Sequence, residues 1–146
     1  MGIVVVGVDG SDHSLIALTK AREEAAVRGD MLHVVHVTDF TPAVLHLSDG
    51  VTVHTSDLAA ARRQEVWSKV DEMLGEADES VDRIDRDGYP ADVLVDYCEE
   101  VGAELLVLGT RGRGRLASTL LGSTSLRALE HARCDVLVAK PREGST

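Results

Sequence analysis

Short apolar runs alternate with amphipathic stretches along this chain of 146 residues. Runs rich in Val, Leu and Ile are typical of buried strands, whereas apolar positions spaced three or four residues apart indicate helices packed on a core. The pattern predicts five strands, over residues 3–8, 31–37, 81–85, 105–108 and 134–139. It also predicts four helices, one that ends at Gly29 and three over residues 56–77, 90–101 and about 123–131.

Polar and glycine residues between these segments predict where two of the helices begin and end. Ser11 or Asp12 can cap the first helix, and Gly29 can stop it. Pro90 suits the first position of the third helix, and Gly102 suits its end.

The alternation of strands and helices predicts an α/β fold. Such an order is typical of an open, mostly parallel sheet, here five-stranded, with helices on both faces. Aromatic residues make up only 3% of the chain, so the core must be built from Val, Leu, Ile and Ala. No linker or repeat is visible, and we expect a single domain over residues 1–146 with a short C-terminal tail over 140–146.

The connection over residues 38–55 is unusually long for a compact domain, where connections above about 12–15 residues are uncommon. Residues 51–53 could add a short strand within it. We favour the interpretation that this connection is a tolerated surface insertion over the interpretation that it is a lid.

The net charge and the length of the apolar segments argue against two classes of partner, nucleic acids and membranes. The formal net charge of −10 argues against non-specific binding to nucleic acid, which requires an excess of Lys and Arg. No segment reaches the ~18 apolar residues that span a membrane. We therefore expect a cytoplasmic protein with neither a nucleic-acid nor a membrane partner. Cys98 and Cys134 lack metal or redox spacing, and we expect buried thiols rather than a disulfide.

A loop rich in glycine and arginine follows the fourth predicted strand. It contains three arginines and no acid between Gly109 and Gly122, so its formal charge is +3 and the remainder of the chain carries −13. Glycines allow the backbone to approach a ligand, and a helix N-terminus adds unpaired N–H donors. The loop therefore predicts a phosphate ligand. Its residues are Gly109, Thr110, Arg111, Gly112, Arg113, Gly114 and Arg115, followed by Gly122 and Ser123.

Three strand ends bring candidate ligand-binding groups to one edge of the predicted sheet. Asp9 ends the first strand, Val37 ends the second, and the glycine–arginine loop follows the fourth. Ligands of open α/β sheets lie outside these carboxyl ends. If these strands are neighbours, the groups form one crevice. Asp9 could contact a ribose or hold a metal ion beside phosphate, or it could simply stabilise the turn before the first helix.

Two common glycine motifs match only in part. Gly112 and Gly114 resemble the dinucleotide fingerprint, but the next strand does not end in the acid that the fingerprint requires. Gly109 and Gly114 resemble the start of a P-loop, but Arg115 and Leu116 replace the Lys and the Ser or Thr.

The wider spacing Gly109-x2-Gly112-x9-Gly122-Ser123 resembles the ATP-binding signature G-x2-G-x9-G-S/T of the universal stress protein family. Residues 4–11 and 134–138 also resemble that family. The resemblance implies a Rossmann-like, adenine-nucleotide alpha hydrolase-like fold. It also implies a homodimer paired through the last strand, around Val136, Leu137 and Val138.

Carried over by position, the resemblance gives each candidate a role. Asp9 resembles the acid near the ribose and phosphates and could hold Mg2+, and the backbone of Val37 resembles the contact to adenine. The glycines and Ser123 resemble the phosphate and ribose contacts. The candidate nucleotide-binding residues are Val8, Asp9, Val37, Gly109, Thr110, Arg111, Gly112, Arg113, Gly114, Gly122, Ser123 and Thr124. The arginines are denser than the signature requires, and we expect one of the three to contact the ligand.

These features favour a protein that binds ATP, or another adenine nucleotide, together with Mg2+. Occupancy would bias its dimer state or its choice of an unidentified signalling partner. One alternative is a slow ATPase or an autophosphorylating enzyme, with Ser118, Thr119 or Ser123 as acceptor. Another is a dimeric scaffold that binds no nucleotide.

Overall fold

A computed structural model describes residues 1–39, 44–46, 49–111 and 121–142. Within these residues the chain forms seven strands and four helices. In chain order they are β1 (Ile3–Val8), α1 (Asp12–Arg28), β2 (Met31–Thr38), β3 (Val44–His46), β4 (Thr52–His54), α2 (Thr55–Leu74), β5 (Val81–Asp87), α3 (Pro90–Val101), β6 (Leu105–Gly109), α4 (Ser123–His131) and β7 (Asp135–Ala139).

Five of the strands form one sheet in the order β5-β2-β1-β6-β7, and every neighbouring pair is parallel. The predicted α/β fold with a five-stranded parallel sheet is therefore confirmed. Strands β2, β1 and β6 are adjacent, so the three strand ends singled out in the sequence lie side by side. Thr38 of β2 pairs with Asp87, which extends β5 beyond its predicted end at residue 85.

Two apolar clusters cover the two faces of the sheet. Val4, Val6 and Val8 face α1 and α2, whereas Val5 faces α3 and α4. This division follows from the two-residue period of a strand, which sends successive side chains to opposite faces. Both faces of the central strands are apolar because both are covered by helices.

Helix ends follow the local signals in the sequence. The Ser11 hydroxyl accepts a hydrogen bond from the Ser14 amide at 3.2 Å, so Ser11 rather than Asp12 caps α1. Gly29 and Gly102 end α1 and α3 with φ angles of 72° and 66°, which are costly for other residues.

The second helix and the connection before it differ from their predicted bounds. Helix α2 stops at Leu74 instead of residue 77 because Gly75, with a φ angle of 74°, turns the chain away. The connection contains an antiparallel hairpin in which Val44 of β3 pairs with His54 of β4. The predicted strand at 51–53 is therefore displaced by one residue, to Thr52–His54.

Candidate functional site

A cleft of about 550 Å³ opens at the carboxyl ends of β1, β2 and β6. The first turns of three helices complete its walls: Leu58 and Ala59 from α2, Pro90 from α3, and residues 123–125 from α4. Strand order explains its position, because the chain leaves β1 towards β2 on one side and reaches β6 on the other. Ligands of open α/β sheets occupy this kind of crevice.

Most of the described residues among the sequence-predicted candidates lie together in this cleft. Those that line it are Val8, Asp9, Val37, Gly109, Arg111, Gly122, Ser123 and Thr124. Thr110 does not line it. Gly112, Arg113 and Gly114, together with Arg115, Ser118 and Thr119, lie outside the described residues. Contact of each candidate with a ligand stays a prediction.

The N-terminus of α4 forms one wall of the cleft. Its cap residue, Gly122, supplies no side-chain acceptor, and the first amides of a helix have no acceptor within it. The amide of Gly122 itself donates to the Thr110 carbonyl at 2.7 Å. The Ser125 hydroxyl donates to the Gly109 carbonyl, also at 2.7 Å. These two bonds fix α4 on the end of β6, with Ser123 and Thr124 lining the cleft.

Asp9 stabilises the turn between β1 and α1. One of its carboxylate oxygens accepts a hydrogen bond from the Ser11 amide at 2.9 Å. The Asp9 amide donates to the Ser14 hydroxyl at 3.2 Å. Asp9 also lines the cleft, so the structural role and the predicted ligand role are compatible.

Gly109 and Thr110 contact α1 directly. A Cβ atom on Gly109 would lie 2.5 Å from the carbonyl oxygen of His13, a distance that real structures essentially never show. The Thr110 hydroxyl lies 2.9 Å from His13 Nδ1, which turns this side chain towards α1. Gly109 therefore has a packing reason to be glycine, independent of any ligand.

His36 is a cleft residue that sequence reasoning missed. It is 3% exposed, and its Nδ1 lies 3.0 Å from the Val8 carbonyl oxygen. Because a carbonyl only accepts, Nδ1 is the donor in this hydrogen bond. The edge of the Trp67 ring packs at 6.4 Å between centroids. The position of His36 near the carboxyl end of β2 could have indicated a cleft residue, but the sequence did not show which face of β2 borders the cleft.

The cleft combines charged groups with an apolar wall. Asp9 and Asp39 supply carboxylates, and Arg62 and Arg111 supply guanidinium groups. Arg62, on α2, was not predicted. Apolar side chains complete the lining, from Val35, Val37, Leu58, Ala59, Pro90, Leu94 and Leu108. This arrangement suits a ligand with an anionic end and a flat, apolar end.

The family model described as the universal stress protein family matches residues 1–140. The chain belongs to the universal stress protein family. It is 34% identical over 137 residues to universal stress protein MJ0531 of Methanocaldococcus jannaschii, covering 94% of this chain and 81% of that one. A universal stress protein of Thermus aquaticus is 30% identical, with 94% and 97% covered.

Solved universal stress protein structures share the fold. UspA from Lactobacillus plantarum superposes with a TM-score of 0.76 at 25% identity, covering 94% of this chain and 97% of that one. A universal stress protein in complex with cAMP superposes with a TM-score of 0.64 at 30% identity, covering 94% and 95%. The resemblance identified from the glycine spacing is thus confirmed at the level of family and fold.

None of the helices in the described part of this universal stress protein is both long and apolar enough to cross a membrane.

Proposed function

We propose that this universal stress protein binds an adenine nucleotide, ATP with Mg2+, in the cleft at the ends of β1, β2 and β6. The observation that carries the proposal is the N-terminus of α4, which no described side chain caps and which is fixed against β6 in the same cleft as Asp9, Arg62 and Arg111. Backbone amides and arginines are suitable donors for phosphate oxygens.

The apolar residues that line the cleft support a base as the other part of the ligand. Val37, Leu58 and Pro90 offer surface for a flat ring, and His36 and Thr38 line the same cleft. More than half of the surface of Leu58 is exposed. A planar ligand would cover this otherwise costly exposure. The relative in complex with cAMP supports an adenine nucleotide as the ligand class.

The carboxylate of Asp9 makes Mg2+ a suitable companion of the phosphates. Mg2+ prefers oxygen ligands and commonly combines one or two carboxylates with phosphate oxygens and water. Asp9 lies in the same cleft as the α4 N-terminus, so its chemistry fits the ion. When bound, the ion would offset phosphate charge that the two acids in the cleft would otherwise repel.

The best test removes one backbone donor while leaving the helix intact. Ser123 is the first residue of α4, a position where proline is well tolerated. Gly122 before it has φ −70° and ψ 164°, which is the conformation that a following proline requires. Ser123→Pro therefore deletes the amide donor, and Ser123→Ala is the matched control that deletes only the hydroxyl.

We expect Ser123→Pro to weaken ATP–Mg2+ binding at least about tenfold in calorimetry, since a hydrogen bond to a charged group contributes about 1.5–3 kcal/mol. Ser123→Ala should lose less. Circular dichroism should show that both variants retain the wild-type fold. Negligible ATP binding by the wild-type protein, or equal affinity of wild type and Ser123→Pro, would reject the proposal.

Nucleotide occupancy would act on assembly. The cleft is formed partly by α4, and α4 packs beside β7, the strand expected to pair in a cytoplasmic homodimer. A ligand that orders the start of α4 would therefore bias dimer state or partner choice. If occupancy biases the dimer state, ATP–Mg2+ should shift the dissociation constant of the dimer. Light scattering with and without ATP–Mg2+ measures this shift.

A further inference from the structure

The two cysteines of this chain lie close together near the amino-terminal ends of the strands, opposite the cleft. Cys98 lies in the last turn of α3, and Cys134 immediately precedes β7. The two side chains lie close enough for Cys134 to contribute to the raised pKa of Cys98. Cys98 is buried in the apolar cluster beneath α3, and the half-buried Cys134 packs against the same cluster.

The backbone around both thiols is held in place. Glu99, which follows Cys98, and Arg133, which precedes Cys134, form an ion pair at 3.0 Å. This pair holds the end of α3 beside the start of β7. The Cys98 carbonyl accepts the amides of Gly102 and Ala103, which fixes the end of α3. A second cavity, of about 430 Å³, is lined by both cysteines and by these same residues.

We propose that Cys98 and Cys134 are a modification site that a hydroperoxide oxidises to a reversible intramolecular disulfide. The less buried Cys134 sulfur attacks the peroxide, gains one oxygen as a sulfenic acid and releases water. The Cys98 sulfur then attacks that sulfenic sulfur, which forms the S–S bond and releases a second water. Two thiols and one hydrogen peroxide thus give one disulfide and two waters. A dithiol reductant reverses the reaction by exchange.

Burial makes this site slow and pH-dependent. Desolvation raises the pKa of Cys98 to about 12, with Cys134 acting in the same direction, and burial also raises the pKa of Cys134. With raised pKa values both residues are mostly protonated at neutral pH, and because the thiolate is the nucleophile they react slowly there. The rate of disulfide formation should therefore rise about tenfold per pH unit through the neutral and mildly alkaline range.

The disulfide would close a loop that contains the phosphate-site segment. The chain between the two cysteines includes β6, residues 110–122 and α4. A cross-link across such a loop restricts the unfolded chain and stabilises the folded state. The oxidised protein should therefore unfold several degrees above the reduced protein, whether or not nucleotide binds.

The test uses the full chain, reduced, freed of reductant and treated with hydrogen peroxide at several pH values. Remaining thiols are blocked, and peptides are mapped by mass spectrometry without reduction. We expect a Cys98–Cys134 cross-linked peptide, loss of both free thiols, a raised unfolding temperature, and reversal of all three by dithiothreitol. Cys134→Ser, which alters the more exposed of the two residues, should remove the cross-link and the temperature shift.

Three results would overturn the proposal. Both thiols could remain free after peroxide treatment, or each could oxidise separately to sulfinic acid, or the cross-link could join two chains instead of one. Each is distinguished in the wild-type protein by peptide mapping and by mass under non-reducing conditions. The outcome does not depend on the stability of any variant or on the proposed nucleotide binding.

Discussion

Gly109 connects the end of β6 to both the cleft and helix α1. Its missing Cβ lets the backbone approach the His13 carbonyl, while its own carbonyl accepts the Ser125 hydroxyl. A glycine within a nucleotide-binding signature is usually explained by ligand approach alone. Here the close contact with α1 already requires glycine, so the residue is constrained from two sides.

We expect Gly109→Ala to lower the free energy of unfolding by about 1–3 kcal/mol, because the added methyl forces α1 away from β6. Gly2→Ala is the matched control. The three atoms nearest its Cβ would all belong to the side chains of Asp30 and Glu104, which adjust more readily than a backbone carbonyl. Urea denaturation measures both variants. Equal stability of Gly109→Ala and Gly2→Ala would show that the close approach imposes no constraint.

Individual side chains were predictable where a local rule applied. The glycine caps and the Ser11 cap follow from backbone conformation and hydrogen bonding within a few residues. The positions of His36 and Thr110 depend on what packs against β2 and β6. His36 reaches the Val8 carbonyl and Trp67, and Thr110 reaches His13, far away along the chain. Such contacts leave no periodic trace in the sequence.

Helix α4 is held at the cleft by a buried hydroxyl and a main-chain contact. The Ser125 hydroxyl is buried and donates to the Gly109 carbonyl, and the Gly122 amide donates to the Thr110 carbonyl. The helix is short, with nine residues, so its packing rather than its own hydrogen bonds must hold it.

Ser125→Ala should therefore lower the free energy of unfolding by about 1–3 kcal/mol, since the Gly109 carbonyl loses its donor in a buried place. It should also weaken ATP–Mg2+ binding, because the amides of α4 are no longer held at the cleft. Ser68→Ala, at an exposed position on α2, is the control. Chemical denaturation and calorimetry make the comparison. Unchanged values for Ser125→Ala would contradict the tethering role.

Whole elements were more predictable than their partners. Apolar period and capping gave β1 and α4 with their observed bounds. The hairpin of β3 and β4 was not predicted as a pair, because strands of three residues are too short to show a periodic pattern and β4 needs β3 for its hydrogen bonds. The proximity of Cys98 and Cys134 was likewise not predicted from the sequence, because the two residues lie on separate elements that only the folded sheet brings together.

The two edges of the sheet differ in chemistry across the whole molecule. At the β5 edge, charged side chains pair with α2: Arg83 with Asp71 at 2.9 Å, and Asp85 with the Trp67 ring nitrogen at 2.9 Å. Charged side chains on an edge strand disfavour pairing with another chain. At the β7 edge, three half-buried apolar residues follow one another, Val136, Leu137 and Val138.

Helix α4 extends the apolar surface beside β7. Leu126 is 44% exposed and Leu129 is 47% exposed, three residues apart on the same side of the helix. Apolar side chains this exposed next to an apolar edge strand are typical of a surface that pairs with a second copy. The asymmetry between the two edges therefore favours a twofold dimer through β7.

Leu129→Glu should weaken this dimer by at least about tenfold, because a charge would have to be desolvated at the interface. The fold should be retained, since the side chain is already half exposed. Val27→Glu is the matched control for a charge added at an exposed apolar position, as Val27 is 87% exposed on α1. Light scattering across a dilution series should show Leu129→Glu dissociating at concentrations where the wild type and Val27→Glu remain dimeric. Two results would exclude β7 and α4 as the interface: a wild-type protein of monomer mass at every concentration, or identical behaviour of the two variants. Nucleotide binding could then not act on dimer formation through this edge of the sheet.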